Sequence, residues 1–203
     1  MDQPTSRRPA GRAVLQDAVS TAIEEAAFAE LAEVGYGGLR MESVARRAGV
    51  GKAALYRRWP SKEPMVVELL SAATRGGGVL APDTGTLAGD VEAYLRGTRA
   101  QLRHPIVARI VGDLVGESVR SSVLADAVRA AVAGPRRAAA SAMLTRAVER
   151  GELSADHDIG LAIDLMIAPV SFRALLMESP ADEDDYLRRL TVATVAAMQA
   201  ALL

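Results

Sequence analysis

An all-α fold of about nine helices is predicted from three observations. Apolar residues recur every three or four positions through most of the chain, Gly and Pro interrupt those runs, and no segment alternates apolar with polar residues long enough to form a strand. At 203 residues the chain can bury one sizeable core or two small ones.

Residues 1–11, with Pro4, Pro9 and the pair Arg7-Arg8, read as a disordered tail; an arginine arm for a DNA minor groove is the alternative use. Over 12–34, Leu15, Ala18, Ala22, Ala26, Ala29 and Leu31 keep helical spacing, and Gly35 ends the helix. Residues 41–62 then predict two short helices around Gly49-Val50-Gly51, with six basic positions against one acidic. Val44, Ala45 and Ala48 line one side of the first helix, and Ala45 is small where the second crosses it. Gly49 supplies the left-handed reversal and Val50 plugs the corner. In the second helix, from Lys52 to Trp59, Leu55 and Trp59 face the core, which leaves Lys52, Ala53, Tyr56, Arg57 and Arg58 outward. A helix-turn-helix with this charge is built to sit on DNA.

A further helix is expected to start near Ser61, with its hydroxyl as N-cap and Glu63 in the first turn, and to end in Gly76-Gly77-Gly78. These glycines make no phosphate loop: the only Gly-Lys pair, Gly51-Lys52, has Arg46 where the motif's first glycine belongs. Residues 73–85 read as a connector between a head at 12–72 and a body at 86–203. Body helices are predicted at 86–103, 105–118, 121–150, 158–179 and 182–202. Pro105 suits a first turn, and Gly134-Pro135 kinks or splits the longest helix.

Charge separates the two parts. The net charge of −1 hides 10 Lys+Arg against 7 Asp+Glu in residues 1–62, and 14 against 18 in 63–203. Positive charge gathered on one domain is what phosphate binding needs, and an acidic body does not compete for the same DNA. Cysteine is absent, which removes disulfides and thiolate metal sites and suits a reducing cytoplasm, the expected location. The most apolar stretch, 159–177, is interrupted by Asp164, Pro169 and Arg173, so no membrane span is expected.

Enzymatic chemistry finds little to work with. His104 and His157 are the only histidines, and neither a metalloprotease helix nor a nucleophile elbow occurs. His104-Pro105 reads as a helix cap. Asp156-His157-Asp158 is a weak metal candidate in what reads as a loop leading into a helix, where acids favour the helix dipole. No catalytic, cofactor or metal residue is expected.

Residues 23–65 closely resemble the DNA-binding domain of TetR/AcrR-type transcriptional regulators. The resemblance rests on Ile23, Ala26-Ala27-Phe28, Gly35-Tyr36, Val44-Ala45-Arg46-Arg47-Ala48-Gly49-Val50 and Leu55-Tyr56-Arg57-Arg58-Trp59-Pro60-Ser61-Lys62-Glu63. It implies a head of three helices and a helical ligand-binding and dimerisation body. By the family's positions, Lys52, Tyr56 and Lys62 contact phosphates, and Arg57 and Arg58 contact backbone or bases. Arg40, Met41, Ser43, Gly51 and Ala53 complete the expected DNA face. Gly51 stands where many relatives have a serine N-cap, and Arg40 and Met41 where they often have Ser or Thr.

The resemblance also implies a homodimer joined by the last two helices, and here the expected contacts are Ile163, Ile167, Leu187, Leu190, Thr194, Val195, Met198 and Leu202, flanked by small alanines. A ligand cavity among the middle helices would draw on Tyr94, Leu95, Arg109, Ile110, Asp113, Leu114, Glu117, Met143, Met166, Val170 and Phe172. Phe172 is assigned to the ligand side and Met166 to the partner helices. With aromatic residues only 3% of the chain, an apolar or aliphatic effector is expected. The reading is therefore a ligand-responsive regulator, a repressor by the family's habit, on a palindromic operator in double-stranded DNA. Its rivals are an all-α binding protein or enzyme with a residual head, and a DNA-binding protein with no effector.

Overall fold

The computed structural model describes residues 10–76, 81–177 and 183–200. It is all-helical over that span: α1 (Ala10–Gly38), α2 (Met41–Arg47), α3 (Lys52–Arg58), α4 (Lys62–Gly76), α5 (Leu87–Leu102), α6 (Pro105–Arg120), α7 (Ser122–Val128), α8 (Gly134–Glu149), α9 (Ile159–Leu176) and α10 (Glu183–Ala200). A five-residue π-helical stretch, Arg129–Ala133, joins α7 to α8, so 122–149 form one continuous rod and the described residues hold nine rods. Gly134-Pro135 follows that wide turn instead of breaking the rod. Pro135 lacks an N–H, and a π turn is one way to place it without an orphaned carbonyl.

The chain divides into two compact units, 1–69 and 70–203. The division falls inside α4, which runs on to Gly76. Residues 73–76 are therefore helix, not the connector expected from their glycine, and Ala10 and Gly11 belong to α1 instead of the tail. Residues 1–9, the rest of that tail, lie outside the described residues, as do Gly77 and Gly78.

In the first unit, Ile23, Ala26, Ala27 and Leu31 of α1 are buried in a core with Val44 and Ala45 of α2, Leu55 of α3, Trp59, and Met65, Val66 and Leu69 of α4. Gly35, at φ 69° and ψ 174°, breaks α1 where the sequence placed its end. The chain resumes a helical turn through Tyr36 before α2, so Tyr36, Leu39 and Met41 are buried there too.

The second unit is built around α5. Leu87, Val91, Tyr94 and Leu95 meet Ala140, Met143, Leu144 and Ala147 of α8, Ala162, Ile163, Met166 and Val170 of α9, and Leu187 and Met198 of α10. Each fully buried Leu or Met in such a cluster stabilises by roughly 1.5–3 kcal/mol. At one end, buried Asp90 accepts from the Thr84 N–H (2.6 Å), the Thr84 hydroxyl (2.8 Å) and Arg150 Nη2 (3.0 Å). Glu152 continues the network to the Leu87 N–H and Arg150 Nε, tying the start of α5 to the end of α8.

This packing corrects the assignment of faces on the last two helices. Ile163, Leu187, Thr194 and Met198, expected at a dimer interface, are buried in the chain's own core, and Ile167, Leu190 and Val195 pack against it. Met166, assigned to a partner, is fully buried, whereas Phe172, assigned to a ligand, is 54% exposed. The cause is α5: it fills the inner side of α9 and α10, and the largest aliphatic stripe turns toward it. Leu202 lies outside the described residues. α9 is long and apolar enough to cross a membrane by composition, but Ala162, Ile163, Met166 and Val170 are core, and Asp164 pairs with Arg137 at 2.7 Å.

Candidate nucleic-acid interface

The outer face of α2 and α3 is set by what the inner face must bury. Val44 and Ala45 point in from α2, Gly49 reverses the chain at φ +66°, and the Val50 N–H returns to the Ala45 carbonyl at 3.0 Å. Ala45 is 1% exposed, so a larger side chain there would displace α3. α3 begins at Lys52 behind Gly51, whose extended backbone makes no side-chain cap, and Leu55 is the residue that anchors it. Gly51, Lys52, Ala53, Ala54, Tyr56, Arg57 and Arg58 are all exposed.

Exposure alone does not make a contact, and the expected residues separate by what their side chains hold. Arg40, Lys52 and Arg57 are exposed and make no hydrogen bond or ion pair among the described residues. Ser43 is half-buried and accepts from Arg46 Nη2 at 3.2 Å. Arg46, absent from the expected set, is therefore an exposed cation on the same patch. Its i,i+3 spacing from Ser43 was the available signal.

Four expected contacts have other duties. Met41 is buried, because α2 starts inside the fold after the extra turn at Tyr36. Arg58 turns back: Nη1 donates to Ser20 Oγ at 2.9 Å, Nη2 reaches Glu68 Oε1 at 2.8 Å, and the guanidinium lies 4.2 Å from the Trp59 ring centroid. Trp59 Nε1 donates to the other Glu68 oxygen, so Arg58 braces α1, α3 and α4. Lys62 Nζ donates to the Tyr36 carbonyl at 2.7 Å over the Tyr36 ring, closing the end of α1. Tyr56 donates its hydroxyl to Glu42 Oε1 at 2.8 Å.

Glu42 is the one acid of residues 41–62. Its own backbone N–H, then the Tyr56 hydroxyl, then Lys52 and Arg40 hold its carboxyl below the ordinary carboxylate range, and the same bond pushes the Tyr56 phenol up. Arg47 is withdrawn from the face by Glu33, 2.5 Å away, and then Glu30, 2.9 Å away, which raise its affinity for its proton. What remains outward is Arg40, Arg46, Lys52 and Arg57 around Glu42, a cationic surface of the kind that phosphate contacts require.

Comparison with known proteins decides the family. Residues 23–69 match the model of bacterial regulatory proteins of the tetR family, and residues 81–194 match that of the Tetracyclin repressor-like C-terminal domain. The chain belongs to the TetR family. It is a DNA-binding transcriptional regulator and not an enzyme. Among its relatives, an uncharacterized HTH-type transcriptional regulator, YdeS of Bacillus subtilis, is 30% identical over 180 residues, covering 88% of this chain and 89% of that one. A DNA-binding transcriptional repressor, TetR of Mycobacteroides abscessus, is 32% identical over 84% of this chain and 88% of its own. The solved structure of the TetR family transcription regulator SCO0332 superposes with a TM-score of 0.68 at 29% identity, over 91% of this chain and 98% of that one.

For this TetR-family regulator the expected pocket residues divide: Tyr94, Met143, Met166 and Val170 pack together in the core, and the others do not join them. Tyr94, Met143 and Met166 are core, Arg109 and Phe172 are exposed, and Asp113 and Glu117 are half-buried on α6, with Glu117 held by Arg120. Of that set, Val170 lines a cavity of about 180 Å³ among the ends of α5, α9 and α10. His104 stands at the N-cap of α6 but makes no side-chain cap bond, and Asp158 caps α9 through the Leu161 N–H at 3.0 Å. Among the described residues no three of His, Asp and Glu gather as a metal set.

Proposed function

We propose that this regulator works as a homodimeric repressor in the cytoplasm, its two α3 helices entering successive major grooves of a palindromic operator until a small molecule releases them. The cationic patch carries the reading, since among the described residues Arg40, Lys52 and Arg57 make no hydrogen bond or ion pair. Each phosphate neutralised makes binding fall with salt by roughly 0.9 units of log-log slope.

We propose further that dimerisation uses the outer side of α9 and α10. Leu161, Leu165, Ala168, Phe172 and Leu176 lie within about 80° on a helical wheel of 100° per residue. Leu161, Phe172 and Leu176 are 46%, 54% and 70% exposed. On α10, Val192 at 70%, with Ala193 and Ala196, offers a flat surface that a partner helix can approach closely. Two such faces related by a twofold axis bury one another.

The test is a binding assay on genomic fragments retained by the protein, read at several salt concentrations, followed by addition of candidate effectors. Salt-sensitive, palindrome-specific binding that an effector reverses supports the reading. Binding that no compound reverses leaves a DNA-binding protein without an effector.

A further inference from the structure

Six residues, Ala81 to Thr86, lead into α5 as an extended strap, and polar bonds hold them to the second unit from two sides. Asp83, Thr84, Gly85 and Thr86 are exposed and Ala81 and Pro82 half-buried, so apolar burial contributes little to their placement. From α8, Arg146 Nη2 donates to the Ala81 carbonyl at 3.3 Å and to the Pro82 carbonyl, and its Nε lies 3.6 Å from Asp83 Oδ2. Arg150, one turn further on, stands 4.0 Å from Asp83 Oδ1 and donates to Asp90 Oδ2 at 3.0 Å. Asp90, fully buried on α5, accepts in turn from the Thr84 N–H and hydroxyl. A guanidinium that donates to two successive carbonyls fixes the direction of a chain as well as its distance.

α5 makes room for the same strap. A Cβ at Gly89, in the first turn of α5, would stand 2.3 Å from Thr84 Oγ1 and 2.9 Å from Thr86 Oγ1, closer than a side chain can approach. Glycine is a poor helix former, and here the approach of Thr84 to Asp90 accounts for it. The strap also lies where the chain from the DNA-binding unit arrives. Four residues, 77–80, separate Gly76 at the end of α4 from Ala81. Without the strap bonds, nine residues, 77–85, would separate Gly76 from the N-cap of α5 at Thr86. Each residue released adds up to roughly 3.3–3.6 Å of reach, and one base pair of operator spacing is about 3.4 Å.

We propose that Arg146, supported by Arg150 and Gly89, is a positioning residue for operator recognition. It shortens the tether of each DNA-binding unit from nine residues to four, and so sets how strictly the dimer measures the distance between two half-sites. This role rests on the palindrome reading proposed above; the strap does not. A second, tethered binding event weakens as roughly the three-halves power of tether length, so the difference is worth about three-fold in operator affinity.

The experiment uses the full-length protein and duplexes built on the palindrome recovered from the genomic fragments it retains. One set carries the native spacing, others have one base pair inserted or removed between the half-sites, and a last one carries a single half-site. R146Q should lower affinity for the native spacing by about three-fold, reduce the penalty for the altered spacings at least two-fold, and bind the single half-site as the native protein does. G89A pushes Thr84 away from α5 without touching a charge, and it should do the same. R129Q, which changes an exposed arginine paired with Asp126, should behave as native protein. Amide hydrogen exchange over 81–87 reads the strap without DNA: both release variants should exchange roughly ten-fold faster at Thr84, while α8 and α9 keep their protection. Unchanged exchange in both variants would overturn the strap, and faster exchange with an unaltered spacing preference would overturn the positioning role. A native protein with no preferred spacing would contradict the palindrome reading itself, and the positioning role would fall with it.

Discussion

The Tyr56 hydroxyl donates to Glu42 Oε1 at 2.8 Å, joining the middle of α3 to the first turn of α2 across the face proposed to meet DNA. The bond has a cost for binding. It engages the phenolic hydrogen that would otherwise be donated to a phosphate, and it keeps a carboxylate charged between Arg40 and Lys52. Glu42→Gln should therefore tighten DNA binding by roughly two- to ten-fold, since a negative charge leaves the cationic face. Fluorescence anisotropy on a labelled duplex checks it. Weaker binding would mean that the carboxylate itself positions Tyr56 or accepts from a base.

The same bond has a pH signature. Glu42 titrates below its ordinary value in the folded protein, so its contribution is present above the unfolded value and is lost as pH falls through the folded one. Tyr56→Phe should move the Glu42 titration upward, read by carboxyl carbon NMR. An unchanged titration would leave the backbone N–H, with Lys52 and Arg40 behind it, as the cause.

Cations on the head should divide into two classes. Lys52→Ala should flatten the salt dependence by roughly one log-log unit per subunit and leave the melting temperature unchanged. Arg58→Ala should do the reverse: it loses a half-exposed pair with Glu68 and the Trp59 stack, together about 1 kcal/mol, with the salt slope kept. A reduced slope for Arg58→Ala would show that its guanidinium leaves Glu68 for phosphate.

On α9, Phe172→Glu should give a folded monomer by light scattering, because the residue is exposed within the chain. Met198→Glu places a charge in the core instead and should unfold the second unit. A dimeric Phe172→Glu protein would place the interface elsewhere.

Asp90→Asn should lower stability by about 2 kcal/mol, since it keeps an acceptor for Thr84 but loses the charge that faces Arg150. Burial alone would raise the Asp90 carboxyl; Thr84 and Arg150 outweigh it and hold it below its ordinary value. Its stabilisation is thus full above about pH 4 and is lost as pH falls further. Melting curves of both proteins should converge on acidification.

The helix-turn-helix was legible in the sequence because its signals are local. Gly49, Val50, Ala45 and Leu55 lie within eleven positions, and each has one steric role. The family followed from the same residues, and the all-α class from apolar spacing along the whole chain. Contacts made at long sequence separation were not legible: Arg58 with Ser20 and Glu68, Lys62 with Tyr36, and α5 against α9 and α10. An all-round apolar helix such as α9 does not say which side its own chain covers, so Met166, assigned to a partner, is core, and Phe172, assigned to a ligand, is exposed.

The central claim is that an unpaired cationic face reads a palindrome, and anisotropy of native protein and Arg57→Ala on the operator and on a scrambled duplex tests it most directly. The native protein should prefer the operator by roughly a thousand-fold or more, and Arg57→Ala should lose about 1–3 kcal/mol on the operator while its scrambled-duplex affinity changes little. Equal affinity of the native protein for both duplexes, or an Arg57→Ala loss that is the same on both, would contradict the account.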